Sequence, residues 1–237
     1  LMLRSPRHPM DTGTVLAEPE SGADVYLTIN HYLQAVCEEE IQKAVENAKA
    51  KSGWAIMMEP RSGEILALAQ YPFFDPSHYA DYFNDDRLKE STKVKAVTDP
   101  FEPGSTMKPL TLAIALMANR DLIKAGKKPI FSTQEKIAVS NGKFPGRSKP
   151  IKDTRLHYFL NMYLGLQKSS NIYMGRLVER VVETLGPEWY RNCLHEVFGF
   201  GVKTGIELPS ESSGLLPTPG KKHPNGTLEW SKPTPYS

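Results

Sequence analysis

Asp99-Pro100-Phe101-Glu102-Pro103-Gly104-Ser105-Thr106-Met107-Lys108-Pro109, followed by the apolar run Leu110-Thr111-Leu112-Ala113-Ile114-Ala115-Leu116-Met117-Ala118-Asn119, decides how this chain reads. A Pro103-Gly104 turn delivers Ser105 to the start of a helix expected over 105–119, with Lys108 three residues on. Positions i and i+3 share a helix face, so Lys108 Nζ can reach Ser105 Oγ. A serine hydroxyl is a poor nucleophile until a neighbouring base takes its proton. A lysine can do that where burial and nearby positive dipoles lower its pKa. The helix N-terminus also points free N–H groups and a positive dipole at any oxyanion formed there. The stretch reads as an acyl-transfer site.

Working outward, a second Ser-x-x-Lys, Ser140-Asn141-Gly142-Lys143, runs into Phe144-Pro145-Gly146-Arg147, which cannot continue a helix, and reads as a turn. The plainer reading of the first copy is a capped core helix with a solvated lysine. Ser169-Ser170-Asn171 weighs against that. It lies between Leu164-Gly165-Leu166-Gln167-Lys168 and a helical face marked by Ile172, Leu177, Val178, Val181, Val182 and Leu185, which Gly186-Pro187 ends. A short loop between two helices is a usual place to display polar catalytic groups, although alone it would read as a helix cap.

Together the two elements resemble the active-site serine penicillin-recognising enzymes, whose signatures are Ser-x-x-Lys, Ser-x-Asn and Lys-Thr-Gly. The resemblance runs further. Val25 to Asn30 followed by Tyr32-Leu33-Gln34 is similar to the family's "LTID…LQ". Ala55 to Ala69, with its turn Glu59-Pro60-Arg61-Ser62-Gly63, is similar to a family hairpin. Phe74-Asp75-Pro76 and Ala96-Val97-Thr98-Asp99 resemble family segments, as do Phe198-Gly199-Phe200-Gly201, Thr204-Gly205-Ile206, Leu208-Pro209, Glu211 and Gly214-Leu215-Leu216-Pro217. In order, these cover most of 24–217, and the chain resembles a class B penicillin-binding protein, a monofunctional peptidoglycan transpeptidase. Glu102 before Pro103-Gly104-Ser105 is closer to the division-type members.

The resemblance implies an α+β serine β-lactamase/DD-transpeptidase-like fold, with 1–23 the tail of a preceding non-catalytic region or linker and 24–237 the N-terminal major part of the transpeptidase domain. It implies that Ser105 is the nucleophile, Lys108 its base, Ser169 a proton relay and Asn171 a holder of the substrate's amide backbone. It also implies no cofactor. The expected partners are peptidoglycan stem peptides, β-lactams bound covalently at Ser105, a glycosyltransferase and cell-wall or divisome proteins. The expected location is the periplasmic face of the bacterial cytoplasmic membrane, with the membrane anchor outside this chain. Two other readings stay open. One is a β-lactamase or β-lactam sensor on the same fold, with Glu188, Glu196, Glu207 or Glu211 as candidate deacylating carboxylates by position. The other is a non-catalytic scaffold fragment.

Lys203-Thr204-Gly205 spells the third signature but follows Gly199-Phe200-Gly201 and precedes Ile206-Glu207-Leu208-Pro209, a loop composition rather than a pocket strand. The third motif is therefore expected to lie outside this stretch and the domain to be cut before its last strands, which would leave the 54–71 hairpin with an unpaired edge. The fragment is expected to be impaired, since loss of one oxyanion donor costs about 10²–10³ in rate.

Composition sets the bounds. The chain has 237 residues, 40% hydrophobic, with a net charge of +2, enough for a sizeable core and no case for nucleic acid. Residues 124–152 read as a basic, solvated loop region. Cys37 and Cys193 are two isolated thiols, Cys37 expected buried on the helix at 30–50; the histidines lack paired spacing. No run approaches the roughly 18 apolar residues of a membrane span. Further elements are expected as strands at 54–59 and 64–71 and helices at 155–168, 171–185 and 187–197.

Overall fold

The structure, a computed structural model, describes residues 20–231 and 234–236; residues 1–19 of the expected N-terminal tail lie outside them. Two compact units divide at residue 96. Helices alternate irregularly with short antiparallel strands, which is the expected α+β class.

In the first unit α1 (His31–Ala48) leads into the hairpin β1 (Gly53–Met58) and β2 (Ile65–Tyr71). Asn30 starts α1 because its side-chain oxygen accepts the N–H groups of Tyr32 and Leu33, both at 3.1 Å, donors the first helical turn leaves unpaired. Ala67 and Ala69 alternate inward on β2 and are buried. The register slips between Met57 and Met58, leaving Leu66 as an extra residue. Such a bulge takes a backbone group out of the ladder, and the Asn30 N–H donates to the Leu66 carbonyl at 2.9 Å. Gln34 closes the outer edge of β2: its side-chain oxygen accepts the Leu68 N–H at 2.7 Å and its NH₂ donates to the Leu68 carbonyl at 3.0 Å.

Among the described residues β1 pairs with β2 alone, and Ile56, Met57 and Met58 are exposed. Cys37 is half-buried rather than buried as expected, and Val36 is exposed. The reason is width: a two-stranded sheet cannot cover the whole apolar stripe of α1, and Val45 is the α1 residue it buries fully. Short helices α2 (Tyr79–Asn84), α3 (Asp86–Lys89) and α4 (Lys95–Thr98) follow.

In the second unit a 3₁₀ turn, Gly104–Met107, runs directly into α5 (Lys108–Lys124). After a loop come β3 (Ile137–Ala138), β4 (Phe159–Leu160), α6 (Met162–Gln167), α7 (Asn171–Leu185) and α8 (Pro187–Asn192), the last continuing as a π turn over Cys193–Val197. Ile114 and Ala118 of α5 and Tyr173 and Leu177 of α7 have no exposed surface and centre the core. Each large apolar side chain so buried contributes about 1.5–3 kcal/mol.

Two expectations are corrected here. The helix expected over 155–168 begins only at Met162. Residues before it pair with β3, and the Asn161 side chain caps the helix by accepting the Leu164 N–H at 3.0 Å, so the backbone is committed to a strand until that cap. The 124–152 region is not simply solvated: Phe131, Ile137, Val139 and Phe144 are buried in the core. The Phe144 ring packs under the Arg176 guanidinium at 4.4 Å.

Candidate active site

Ser105 is exposed on the 3₁₀ turn and Lys108 opens α5. In a 3₁₀ turn residues i and i+3 eclipse, so the local winding stacks one side chain over the other, and Lys108 Nζ lies 2.9 Å from Ser105 Oγ. The Ser105 N–H sits at the head of this turn and has no backbone acceptor among the described residues. Gly104, at φ 59°, makes the sharp entry that presents it.

Ser169 arrives from elsewhere in the chain. Its carbonyl accepts from Lys108 Nζ at 2.7 Å and its Oγ at 2.8 Å, and Ser169 Oγ lies 3.2 Å from Ser105 Oγ. Three acceptors thus surround one amine. An ammonium would donate to all three. A neutral amine can donate two N–H groups to Ser169 and turn its lone pair to the Ser105 hydroxyl, which is the arrangement a general base needs. Lys108 is 7% exposed, and burial holds its pKa below the ordinary lysine value, partly opposed by the negative charge of Asp153.

Ser169 reaches this position in the left-handed region, at φ 51°. A non-glycine residue there costs about 1–3 kcal/mol and persists only where its surroundings enforce it. The end of α6 supplies part of that force: the Ser169 N–H donates to the Leu166 carbonyl and the Ser170 N–H to the Gly165 carbonyl, both at 2.9 Å. Gly165 is required for α6 to approach α7, since a Cβ there would stand 2.4 Å from the Tyr173 ring. Tyr173 Oη is buried without a hydrogen-bond partner, and burial, with the Glu135 charge, pushes its pKa up to about 12.

Asn171 is the first residue of α7; its side-chain NH₂ donates to the Lys152 carbonyl at 2.9 Å. Its exposed oxygen is left for another donor. The structure therefore brings Ser105, Lys108 and Ser169 into mutual hydrogen-bond range, and sets Asn171 two residues further along the same turn.

Sequence reasoning missed Asp153. Its carboxylate accepts from Ser170 Oγ at 2.5 Å and from the Ile172 N–H at 3.0 Å. No local pattern marks it, because it lies 17 residues before Ser170, just past the end of the 124–152 region that reads as basic. Among the described residues, the other two motif copies make no hydrogen bond to Ser105, Lys108 or Ser169. Ser140 to Lys143 is a turn in which the Lys143 N–H donates to Asn141 Oδ1 at 2.9 Å. Thr204 and Gly205 wrap the Glu211 carboxylate, which accepts both Thr204 donors at 2.6 Å and the Gly205 N–H at 3.2 Å. Glu211, one of the four glutamates weighed for deacylation, is thereby occupied. Among the described residues there is no group of metal-ligating side chains and no helix long and apolar enough to cross a membrane.

Comparison with known proteins gives this geometry a family. The model of the penicillin binding protein transpeptidase domain matches residues 53–229. The chain is 35% identical over 199 residues to a probable peptidoglycan D,D-transpeptidase PenA of Neisseria gonorrhoeae, covering 84% of this chain and 30% of that protein. It is 29% identical over 200 residues to the peptidoglycan D,D-transpeptidase FtsI of Escherichia coli K12, with the same coverage. A similar relation holds with MrdA of Acinetobacter baumannii, at 29% over 227 residues and 91% of this chain. The chain thus spans about 30% of the length of these curated relatives. Among solved structures, a peptidoglycan glycosyltransferase from Burkholderia ambifaria superposes with a TM-score of 0.62 at 27% identity, over 81% of this chain and 51% of that one. The likeness extends over most of the chain, in fold and in sequence together, and the chain belongs to the class B penicillin-binding protein transpeptidase domain family.

Proposed function

We propose that the protein is a peptidoglycan D,D-transpeptidase that works through an acyl-enzyme on Ser105. The observation that carries this is the placement of Lys108 Nζ, 2.9 Å from Ser105 Oγ and 2.7 and 2.8 Å from the two oxygens of Ser169. Neutral Lys108 takes the hydroxyl proton as Ser105 Oγ attacks the carbonyl between the terminal D-alanines of a stem peptide. The Ser105 N–H donates to the oxyanion; such donors act where charge develops. Collapse breaks the C–N bond, and Ser169 Oγ, in reach of both Lys108 and Ser105, passes a proton to the leaving nitrogen. The Asn171 oxygen accepts an N–H of the substrate backbone. An amine of a second stem peptide then attacks the ester, with Lys108 again receiving the proton, and Ser105 is released.

A β-lactam enters by the same first step and remains as the ester. The reading places the site on the outer face of the bacterial cytoplasmic membrane, beside the glycosyltransferase and divisome or other cell-wall proteins that build and join the strands. To test it, the protein is incubated with a penicillin and analysed by intact mass and peptide mapping. The drug's mass should appear on the peptide carrying Ser105 and vanish in Ser105→Ala. A folded protein that gains no mass, or gains it elsewhere, overturns the reading.

A further inference from the structure

We infer that Asp153 is a positioning residue of this site, which locks the Ser169–Asn171 turn from behind so that Ser169 presents its carbonyl and hydroxyl together to Lys108. The inference rests on the acyl-enzyme reading above for its kinetic consequences, but its geometry is independent of that reading. Three consecutive residues of the turn are tied to one short stretch of loop. Ser170 Oγ and the Ile172 N–H both donate to the Asp153 carboxylate, at 2.5 and 3.0 Å, and between them Asn171 donates to the neighbouring Lys152 carbonyl at 2.9 Å. Ser170 is wholly buried. Its hydroxyl, while donating to Asp153, also accepts the Tyr173 N–H at 3.0 Å.

This clamp sits where strain must be held. Ser169 immediately precedes it in a left-handed conformation, and a serine has no intrinsic preference for that region. The α6 end holds Ser169 from the N-terminal side; without Asp153 the loop would hold the start of α7 only through the Asn171 bond to the Lys152 carbonyl. The Ser170 hydroxyl would lose its acceptor in a buried place, and the Ile172 N–H, one of the unpaired donors of a helix start, would lose its own. Relaxation of Ser169 would then remove two of the three acceptors around Lys108 Nζ. A misplacement of about 1 Å at a reacting group can cost 10²-fold in rate.

Asp153 also acts through charge. Around Lys108 Nζ, the 3₁₀ turn offers Ser105 and the turn before α7 offers Ser169, both uncharged, while Asp153 is the charged group that raises the Lys108 pKa against burial. Asp153→Asn removes the charge and keeps an acceptor for Ile172. Asp153→Ala removes both.

The test is penicillin acylation of the protein and the two variants, read as a rate against pH alongside melting temperature. Asp153→Ala should acylate on the order of 10²-fold more slowly. Asp153→Asn should keep most of the melting temperature and recover part of the rate, with the acid limb of its pH profile moved to lower pH, because Lys108 then loses its proton sooner. A purely structural role would lower the melting temperature and leave that limb in place. If wild type labels at Ser105 and Asp153→Ala labels equally fast, the inference fails and the acyl-enzyme reading stands. If wild type does not label, hydrogen exchange decides instead: in Asp153→Asn or Asp153→Ala the Ser170 and Ile172 amides should lose protection while Val178 and Val181 keep theirs. Unchanged protection at Ile172 in both variants overturns the inference whatever the chemistry does.

Discussion

Two stretches of the second unit carry a serine and a lysine three residues apart, and they meet different fates. Ser105 and Lys108 ride a 3₁₀ turn into a helix, where the winding stacks one over the other and the lysine is buried. Ser140 and Lys143 flank an Asx turn, and both are exposed. There the backbone approach is the point: Ile151 donates its N–H to the Gly142 carbonyl at 2.8 Å, and a Cβ on Gly142 would stand 1.8 Å from the Ile151 oxygen. The same pair of residue types serves one region through side-chain chemistry and borders, in the other, a glycine needed for packing. The difference lies less in the motif than in what reaches it, since Ser169 comes to Lys108 from 61 residues away.

The sharpest way to break this contrast is to exchange the serines. Ser105→Ala should abolish the penicillin adduct in intact mass, and Ser140→Ala should leave it unchanged. Labelling that survives the first, or is lost in the second, would erase the distinction. The lysines come next. Lys108→Ala should slow acylation about 10²–10⁴-fold, the range of general-base contributions, while Lys143→Ala should stay within twofold by stopped-flow kinetics.

The wild-type profile sharpens the same point. Burial lowers the Lys108 pKa, so acylation should rise with pH as the proton leaves and level off below the ordinary value of 10.5. The sign for stability follows: the folded state binds fewer protons than the unfolded one between those two pKa values, so Lys108 favours folding increasingly as pH rises through that window. Lys108→Met should lack this rise in denaturant titrations across pH.

Gly165→Ala probes the far arm of the first copy. It forces a Cβ into the Tyr173 ring and should cost about 1–3 kcal/mol in urea unfolding, the usual range for overpacking, with slower acylation of the folded fraction; a neutral result would mean that α6 does not need so close an approach. The smallest effect is expected at the second decoy, Lys203-Thr204-Gly205. Lys203→Ala should not change labelling, because that segment is a turn closed on Glu211. A clear loss there would return Lys203-Thr204-Gly205 to the site.

Legibility followed sequence separation. The helix expected at 30–50, the hairpin and α7 are legible because their signals are local: a one-sided apolar pattern, a Pro60 to Gly63 turn and a run of apolar residues ended by Gly186-Pro187. The stretch before Met162 reads as helix although it is strand, because its partner, β3, is more than 20 residues away and two-residue strands carry no periodicity. The burial of Phe131 and Phe144 is not legible because loop composition dominates the 124–152 region around them, although an aromatic side chain in such a loop can still be a core anchor.

What the sequence by itself determined is the pairing of Ser105 with Lys108, because i to i+3 geometry follows from backbone winding alone, and the family signature spread along the chain. What only the tertiary structure decided is which residues complete and hold that pair. The left-handed turn of Ser169, the Asp153 carboxylate behind it and the burial that lowers the Lys108 pKa all depend on segments far apart in sequence. They meet there because the apolar faces of α5 and α7 share one core, and hydrophobic burial carries no label for the polar groups it brings along.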